Sequence, residues 1–219
     1  MLGLPERTEL NNGIGKRIPK EKFYSKLILT SAQERMFIDQ VSSIRWTNKI
    51  SPGSMNLSVS DGIQEMEVFE IILKGENVED KLLKVIDEAI IHPILFVVRN
   101  ESKERIFISF KETNDAGNTT VRQYYSTEWS STGSISLDFA ALSTGELYKN
   151  LTVQISNGLL IMNPDLELSD VVANDIKFQK ALKEIEALEN KIKKTLQPNK
   201  KLDLFHQLRY LKDKWGVKD

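Results

Sequence analysis

Four charged side chains within ten residues have the chemistry to act on a substrate. Glu65, Glu67 and Glu70 are followed by Lys74, on and beside the apolar run from Met66 to Lys74. Carboxylates are preferred ligands of divalent cations, and a metal held by them can activate water against a phosphate. The chemistry indicated is metal-dependent phosphodiester cleavage by Glu67, Glu70 and Lys74, with Mg²⁺ as its cofactor.

The same charges also fit a purely structural role. A nuclease core of the restriction type places an acid and then a Glu-x-Lys on adjacent strands, whereas Glu70 and Lys74 are separated by a longer spacing. Strand alternation puts Glu67 on the face of Phe69, and Glu70 with Lys74 on the opposite face. Salt-bridged structural acids therefore remain the competing interpretation, and whether the chain is an enzyme stays open.

Aromatic residues close to basic ones form a second candidate site. Arg45, Trp46 and Lys49 lie in one segment, and Tyr125 and Trp129 lie in another. Proteins that bind single-stranded nucleic acid combine such groups, because bases stack on aromatic rings while cations follow the backbone. The alternative is ordinary packing of large aromatic side chains.

Composition excludes several other chemistries. The chain has no cysteine and two histidines, and it contains neither a glycine-rich phosphate loop nor a Gly-x-Ser-x-Gly elbow. We therefore expect no disulfide, no cysteine nucleophile, no histidine metal site and no resident cofactor outside the nuclease interpretation. No secretory signal and no membrane span is visible, which favours a cytoplasmic protein.

The candidate acids must be positioned by a central strand. The run from Met66 to Lys74 is almost continuously apolar, as expected for a strand covered on both faces. Apolar residues from Leu82 to Ile90 predict a helix that ends before Pro93, and Ile94 to Val98 predicts the next strand. This order predicts a parallel crossover unit within an α+β fold that has a mixed β-sheet and flanking helices.

Further elements follow from capping and periodicity. Ser31 and Glu34 have capping-box spacing, and the apolar positions after them predict a helix that includes Val41 and Ile44. The alternation from Ile106 to Phe110 predicts a half-exposed strand. Two more elements are predicted, a strand at Val121 to Ser126 and a helix capped by Ser143 with Glu146 and carrying Leu147, Leu151 and Ile155.

The last 45 residues predict two helices with apolar seams, broken at Pro198. We assign residues 1–174 to an α+β domain and residues 175–219 to a C-terminal helical hairpin. From residue 175 onward, 12 basic residues stand against 7 acidic ones, so the hairpin is basic and the rest of the chain is acidic. The principal seam positions are Leu182, Ile185, Leu188, Ile192, Leu204, Leu208, Leu211 and Trp215.

Two interpretations of these seams remain open. Short apolar seams at helical spacing usually pack against each other, which makes the lysines a solvated face. Alternatively, the seam binds another protein, because each seam spans only about three heptads and is marginal for an independent coiled coil.

Several segments together resemble a known family. They are Lys16 to Tyr24, Ile44 to Lys49, Glu67 to Lys74, Tyr124 to Trp129 and Asn199 to Lys212, and they extend over nearly the whole chain. The chain resembles the bacterial domain-of-unknown-function family numbered 4391. The resemblance implies genes beside DNA methyltransferases and helicases of restriction-modification or phage-defence systems, and it implies no assigned activity.

The leading hypothesis is thus a non-catalytic adaptor subunit of a DNA restriction or phage-defence system. Its C-terminal helices would dock to a helicase or a methyltransferase. A metal-dependent nuclease and a nucleic-acid-binding protein are the two alternatives. The sequence fixes neither the oligomeric state nor a nucleic-acid target.

Overall fold

The computed structural model of the chain describes residues 2–26, 29–76, 78–113, 119–161 and 166–217. The chain divides into two compact units, Met1–Ile161 and Met162–Asp219. The sequence places the boundary between residues 174 and 175, and that position falls within a helix at Leu168–Lys194. The helix begins earlier because Leu168, Val171 and Val172 are buried and extend its apolar side.

Within the described ranges, seven strands form one mixed sheet in the first unit. The strand order is β1-β2-β3-β4-β5-β6, and β7 pairs with β5. Strands β3 and β4 are parallel, whereas the other paired strands of the described sheet are antiparallel. The predicted α+β fold with a mixed sheet is confirmed. The strands are β1 (Lys16–Arg17), β2 (Val41–Ile50), β3 (Met66–Leu73), β4 (Ile94–Arg99), β5 (Lys103–Thr113), β6 (Thr119–Ser126) and β7 (Ser130–Ser131).

The parallel pair forms because a helix returns the chain to the same edge of the sheet. Helix α4 (Asp80–Glu88) connects β3 to β4 and buries Leu82, Leu83, Val85 and Ile86. These positions lie on one face at helical spacing, so the helix covers the sheet with its apolar side. The predicted crossover unit is confirmed, and β3 lies centrally with Glu67 and Glu70 on it.

The remaining helices of the first unit cap and cover this sheet. Ser143 accepts a hydrogen bond from the Glu146 backbone N–H, so the predicted start of α5 is confirmed. Ser51 caps a short helix of one turn that begins at Pro52. The helices are a 3₁₀ turn (Glu6–Thr8), α1 (Glu21–Lys26), α2 (Ser31–Gln40), α3 (Pro52–Met55) and α5 (Thr144–Ile155).

Helix α2 corrects two predictions. Its capping box joins Thr30 to Gln33, one residue before the predicted pair of Ser31 and Glu34, because Thr30 has the extended backbone that a cap requires. The helix ends at Gln40, and Val41 begins strand β2 instead of continuing the helix. Val41 and Ile44 are buried as predicted, but they belong to strand β2 and not to a helix.

Both faces of the sheet are covered. One face packs its apolar residues with α2 and α4 in a single core cluster that includes Phe37, Phe69 and Phe96. Helix α5 packs on the other face, where the ring of Tyr148 stacks on Phe110 with ring centroids 6.5 Å apart. Residues 106–110 of β5 are all buried, so the prediction of a half-exposed strand is wrong.

The second unit is a pair of helices, α6 (Leu168–Lys194) and α7 (Pro198–Trp215). Pro198 occupies the first turn of α7, where a missing backbone N–H breaks no helical hydrogen bond. The two helices are in contact, and the predicted helical hairpin is confirmed. Among the helices in the described ranges, none combines the length and the apolar character of a membrane span.

Candidate functional site

A pocket that contains a buried carboxyl group is the clearest candidate site in the first unit. Glu67 lies on β3 and is only 4% exposed, although a carboxylate is a group that water solvates strongly. Its Oε2 atom is buried and accepts no hydrogen bond from any residue in the described ranges. A buried acceptor without a partner is costly, and such groups often mark sites that are completed by something else.

Apolar side chains surround this carboxyl group. The pocket has a volume of about 230 Å³ and is lined by both aromatic and aliphatic residues. Trp46 of β2 stacks on Phe69 of β3, with ring centroids 6.4 Å apart and planes 7° apart. The other lining residues come from the segment after β1, from α1 and from the end of α4, and they are Ile18, Lys22, Phe23, Ala89 and Ile90.

Charges beside the pocket neutralise only one of two neighbouring acids. Glu65 forms an ion pair with Lys49, and its Oε1 atom lies 3.3 Å from Nε2 of His92. Burial alone would raise the pKa of Glu65, but the Lys49 hydrogen bond and the charges of His92 and Lys49 lower it. Glu65 is thus the acid that stays ionised.

The pKa of Glu67 shifts in the opposite direction. Burial, followed by the charge of Glu65 and a hydrogen bond with Glu65, raises the pKa of Glu67 to about 7. The charge of Lys49 opposes this rise in pKa, but Lys49 forms its ion pair with Glu65 and not with Glu67. The two carboxyl groups therefore share less than two negative charges near neutral pH.

The stability of the protein should depend on pH through Glu67. The pKa of Glu67 in the folded protein is about 7 and lies above the ordinary value of 4.5. Its contribution to the free energy of unfolding is therefore fully present below about pH 4.5. That contribution is lost as the pH rises through about 7, and the gap between the two pKa values corresponds to about 3 kcal/mol. Denaturant unfolding of the wild type and Glu67→Gln at about pH 5 and about pH 8 measures this difference.

The glutamine variant keeps Glu65, Lys49, His92 and Lys22, the other charged or titratable groups around the pocket. Subtracting its pH profile from that of the wild type therefore isolates the contribution of Glu67. Equal slopes for the two proteins between about pH 5 and about pH 8 would show that Glu67 is ionised throughout this range.

The structure does not bring the three predicted catalytic residues together. Glu67 faces the pocket, whereas Glu70 is on the opposite face of β3, where it forms an ion pair with Arg99. Lys74 follows the end of β3, and its Nζ donates a hydrogen bond to the Ile38 carbonyl 2.7 Å away. No group of three His, Cys, Asp or Glu residues in the described part of the chain could hold a metal ion.

Arg99 pairs with a second acid besides Glu70. The Arg99 guanidinium also donates from Nε and Nη2 to Oε2 of Glu104, at 3.0 Å and 2.9 Å. Glu104 is fully buried, and its Oε1 accepts from the Gly133 backbone N–H at 2.9 Å. One cation between two acids satisfies these carboxylates without any metal.

The predicted nucleic-acid residues do not form one surface. Tyr125 is 1% exposed, so its ring is not available for a base to stack on. Trp129 is partly buried and packs against the core, as does Trp46. Arg45 is exposed on β2, whereas Lys49 pairs with Glu65. Alternation along β6 gives the reason, because it buries Tyr125 on one face of the sheet and turns Tyr124 toward the other.

A second buried polar cluster was not found by the sequence analysis. Nζ of Lys111 lies 2.8 Å from Oδ1 of Asp87 and donates to the carbonyls of Asp87, Ile90 and His92. The Tyr124 hydroxyl donates to Oδ2 of Asp87 at 2.7 Å. Burial lowers the pKa of Lys111, and the Asp87 charge opposes this effect. The cluster satisfies carbonyls at the C-terminal end of α4, where a cation is favourable.

The hairpin of the second unit has a packed side and an exposed side. The seam residues Ile185, Leu188 and Ile192 of α6 are buried, and Leu182 is half-buried. On α7, Leu204, Leu208, Leu211 and Trp215 are half-buried. The Phe178 and Trp215 rings are 5.9 Å apart, and Nζ of Lys212 lies 2.9 Å from Oε1 of Glu189. These contacts place the predicted seam between the two helices.

A different set of apolar residues on α7 is open to solvent. Leu202, Phe205 and Tyr210 are 57%, 47% and 65% exposed. The sequence analysis did not single them out because they fall outside the regular seam spacing. Their positions relative to Leu204, Leu208 and Leu211 put them away from the seam side of the helix.

Fold and site together define an α+β sheet protein with a pocket around a buried carboxyl group and with a C-terminal helical hairpin. A family profile described as "Domain of unknown function (DUF4391)" matches residues 2–214, and the chain belongs to this family. Neither the curated proteins nor the solved structures contain a match to this chain. The family resemblance noted from the sequence is confirmed, whereas the association with defence genes stays a prediction.

Proposed function

We propose that this protein is a non-catalytic adaptor that binds another protein through the exposed side of α7. The observation that carries the proposal is the group of Leu202, Phe205 and Tyr210, hereafter the α7 face, which remains open to solvent while the seam packs against α6. Two large aromatic side chains and a leucine on one short helix are typical of residues that dominate protein interfaces.

The charge around the α7 face indicates what kind of surface it fits. Helix α7 contains five basic residues and two acidic ones, Asp203 and Asp213. The basic residues are Lys200, Lys201, Arg209, Lys212 and Lys214. A partner surface that is apolar at its centre and acidic at its rim would complement this arrangement and accelerate association. We therefore commit to an acidic protein surface as the occupant.

The proposed partner class comes from the family. The family resemblance implies genes beside DNA methyltransferases and helicases, so we propose that the protein serves a bacterial DNA restriction or phage-defence system. The partner would be the helicase or the methyltransferase encoded nearest to this chain's own gene. Direct binding of nucleic acid by the basic helix α7 is the competing outcome.

Variants of the α7 face test the proposal. We expect Leu202→Glu with Phe205→Glu to abolish co-purification of the partner, because two charges in an apolar interface weaken binding by several kcal/mol. Glutamate also keeps a high helix propensity, so α7 should remain folded. Co-expression with tagged partner and quantification of the recovered complex make the measurement.

The matched control is Leu142→Glu, which introduces the same change at an exposed leucine in the first unit. It should leave the recovered complex unchanged. Undiminished recovery with the double variant, while circular dichroism shows a folded hairpin, would exclude the α7 face as the interface. Binding to single-stranded or duplex DNA that the double variant retains would likewise oppose the proposal.

A further inference from the structure

The Glu67 pocket has three properties that a small-ligand site needs, and none of them follows from the adaptor role. Its walls combine the aromatic rings of Phe23, Trp46 and Phe69. Its volume of about 230 Å³ is below the usual range for drug-sized ligands but is sufficient for a small organic molecule. Its one acidic lining group is almost completely buried.

The missing hydrogen bond defines the chemistry of the ligand. Oε2 of Glu67 is an acceptor without a donor among the described residues, so the ligand must bring an N–H or O–H group. Lys49 and His92 do not fill this place, since both contact Glu65, and Lys22, the cation in the lining, makes no hydrogen bond to Oε2 of Glu67.

The walls favour a cationic donor over a neutral one. An ammonium group close to an aromatic face is attracted by the ring quadrupole, and the attraction increases when water is excluded. An ammonium–carboxylate hydrogen bond is also stronger than a neutral one. The carbon skeleton of the ligand would contact Ile18 and Ile90.

We propose that the pocket binds a small organic amine, with its ammonium group donating to Oε2 of Glu67 and its apolar body against Trp46 and Phe69. The site is independent of the α7 face, so either proposal can fail without the other. A carboxylate in contact with an ammonium ion is favoured over the protonated acid, and binding should therefore strengthen as the pH rises through about 7.

Benzylamine is a suitable probe, and benzyl alcohol is its neutral counterpart of nearly the same shape. The full-length protein has three tryptophans, so the indole N–H signals can be resolved by NMR, and Trp46→Phe identifies that of Trp46. We expect benzylamine to shift the Trp46 signal with a dissociation constant of about 1 mM or lower. Benzyl alcohol should bind at least about tenfold more weakly, a difference in binding free energy of about 1.4 kcal/mol.

Two variants make the result specific. Glu67→Gln should weaken benzylamine binding at least about tenfold, whereas Glu88→Gln, which removes an exposed carboxylate near the end of α4, should leave it within about twofold. Ala89→Leu tests the cavity without changing charge, because a larger side chain at this lining position fills it. It should abolish the shift even if Glu67→Gln does not fold.

Several results would overturn the proposal. They are equal affinity for benzylamine and benzyl alcohol, full binding by folded Glu67→Gln, full binding by Ala89→Leu, or no shift of the Trp46 signal at millimolar probe. Retained partner binding by Ala89→Leu would leave the adaptor role of α7 intact in each of these cases.

Discussion

Replacing Lys111 with methionine should destabilise the first unit by about 3 to 5 kcal/mol, because the substitution leaves the Asp87 carboxylate buried without its cation. The side chains of Lys111 and Asp87 are 4% and 0% exposed, so water cannot replace the lost contact. The carbonyl of Asp87 in α4 and those of Ile90 and His92 just after the helix would also lose their donor. Urea denaturation followed by tryptophan fluorescence measures the shift in midpoint.

The double variant Lys111→Met with Asp87→Asn provides the decisive comparison. Removing both charges should recover part of the lost stability, since a neutral pair has no uncompensated buried charge. Lys81→Met, at an exposed position of α4, serves as the surface control and should change stability by less than about 0.5 kcal/mol. A loss below about 1 kcal/mol for Lys111→Met would mean that the cluster contributes little to the fold.

Introducing aspartate at both Leu188 and Leu208 should unfold the hairpin, because these residues lie on the packed seam of α6 and α7. Each charge placed in an apolar contact costs several kcal/mol, which exceeds the stability expected of two helices of 27 and 18 residues. Far-UV circular dichroism should show a loss of helix, while near-UV signals from the sheet unit persist.

Leu196→Asp is the matched control, because this leucine between the helices is almost fully exposed. It should leave the helix content unchanged. Full helix content in the Leu188→Asp, Leu208→Asp variant would mean that the seam does not hold the hairpin together. In that case the seam itself, as well as the α7 face, would become a candidate surface for the partner.

The predictable part of the fold is the part with regular periodicity. Three elements were predicted correctly: the strand that carries Glu67, the helix from Leu82 and the strand that follows it. Their apolar runs and helical spacing are regular, so the pattern identifies them. Strand β2 was missed because its pairing with β3 has irregularities between Val41 and Ser43 and between Trp46 and Asn48. Such bulges disturb the two-residue alternation, and the remaining spacing resembled a helix.

The candidate site was only partly predictable for a different reason. Alternation correctly separated Glu67 from Glu70, which already opposed a catalytic group built from both. The pocket itself depends on Ile18 and Phe23 near the start of the chain and on Ile90 about 70 residues later, so no local pattern connects its lining residues. Lys111 and Asp87 are likewise brought together only by the fold, since neither position has a local pattern that identifies its partner.

The α7 face illustrates the limit of seam analysis. Heptad spacing selected Leu204, Leu208 and Leu211, and these residues do pack on the inner side of the hairpin. The spacing carried no information about Leu202 and Phe205, because single apolar residues outside a seam are common on protein surfaces. Exposure in the folded hairpin, and not periodicity, distinguishes the α7 face from the packed seam.

Side-chain footprinting of the complex tests the adaptor role most directly. Hydroxyl radicals oxidise exposed aromatic side chains, and mass spectrometry reads the extent at each residue. On addition of the partner helicase or methyltransferase, we expect oxidation of Phe205 and Tyr210 to fall at least about fivefold, since side chains at the centre of an interface are desolvated. Exposed Leu142 and Ile161 should keep their oxidation. Unchanged oxidation of Phe205 and Tyr210 in a complex that has demonstrably formed would contradict the proposed docking surface.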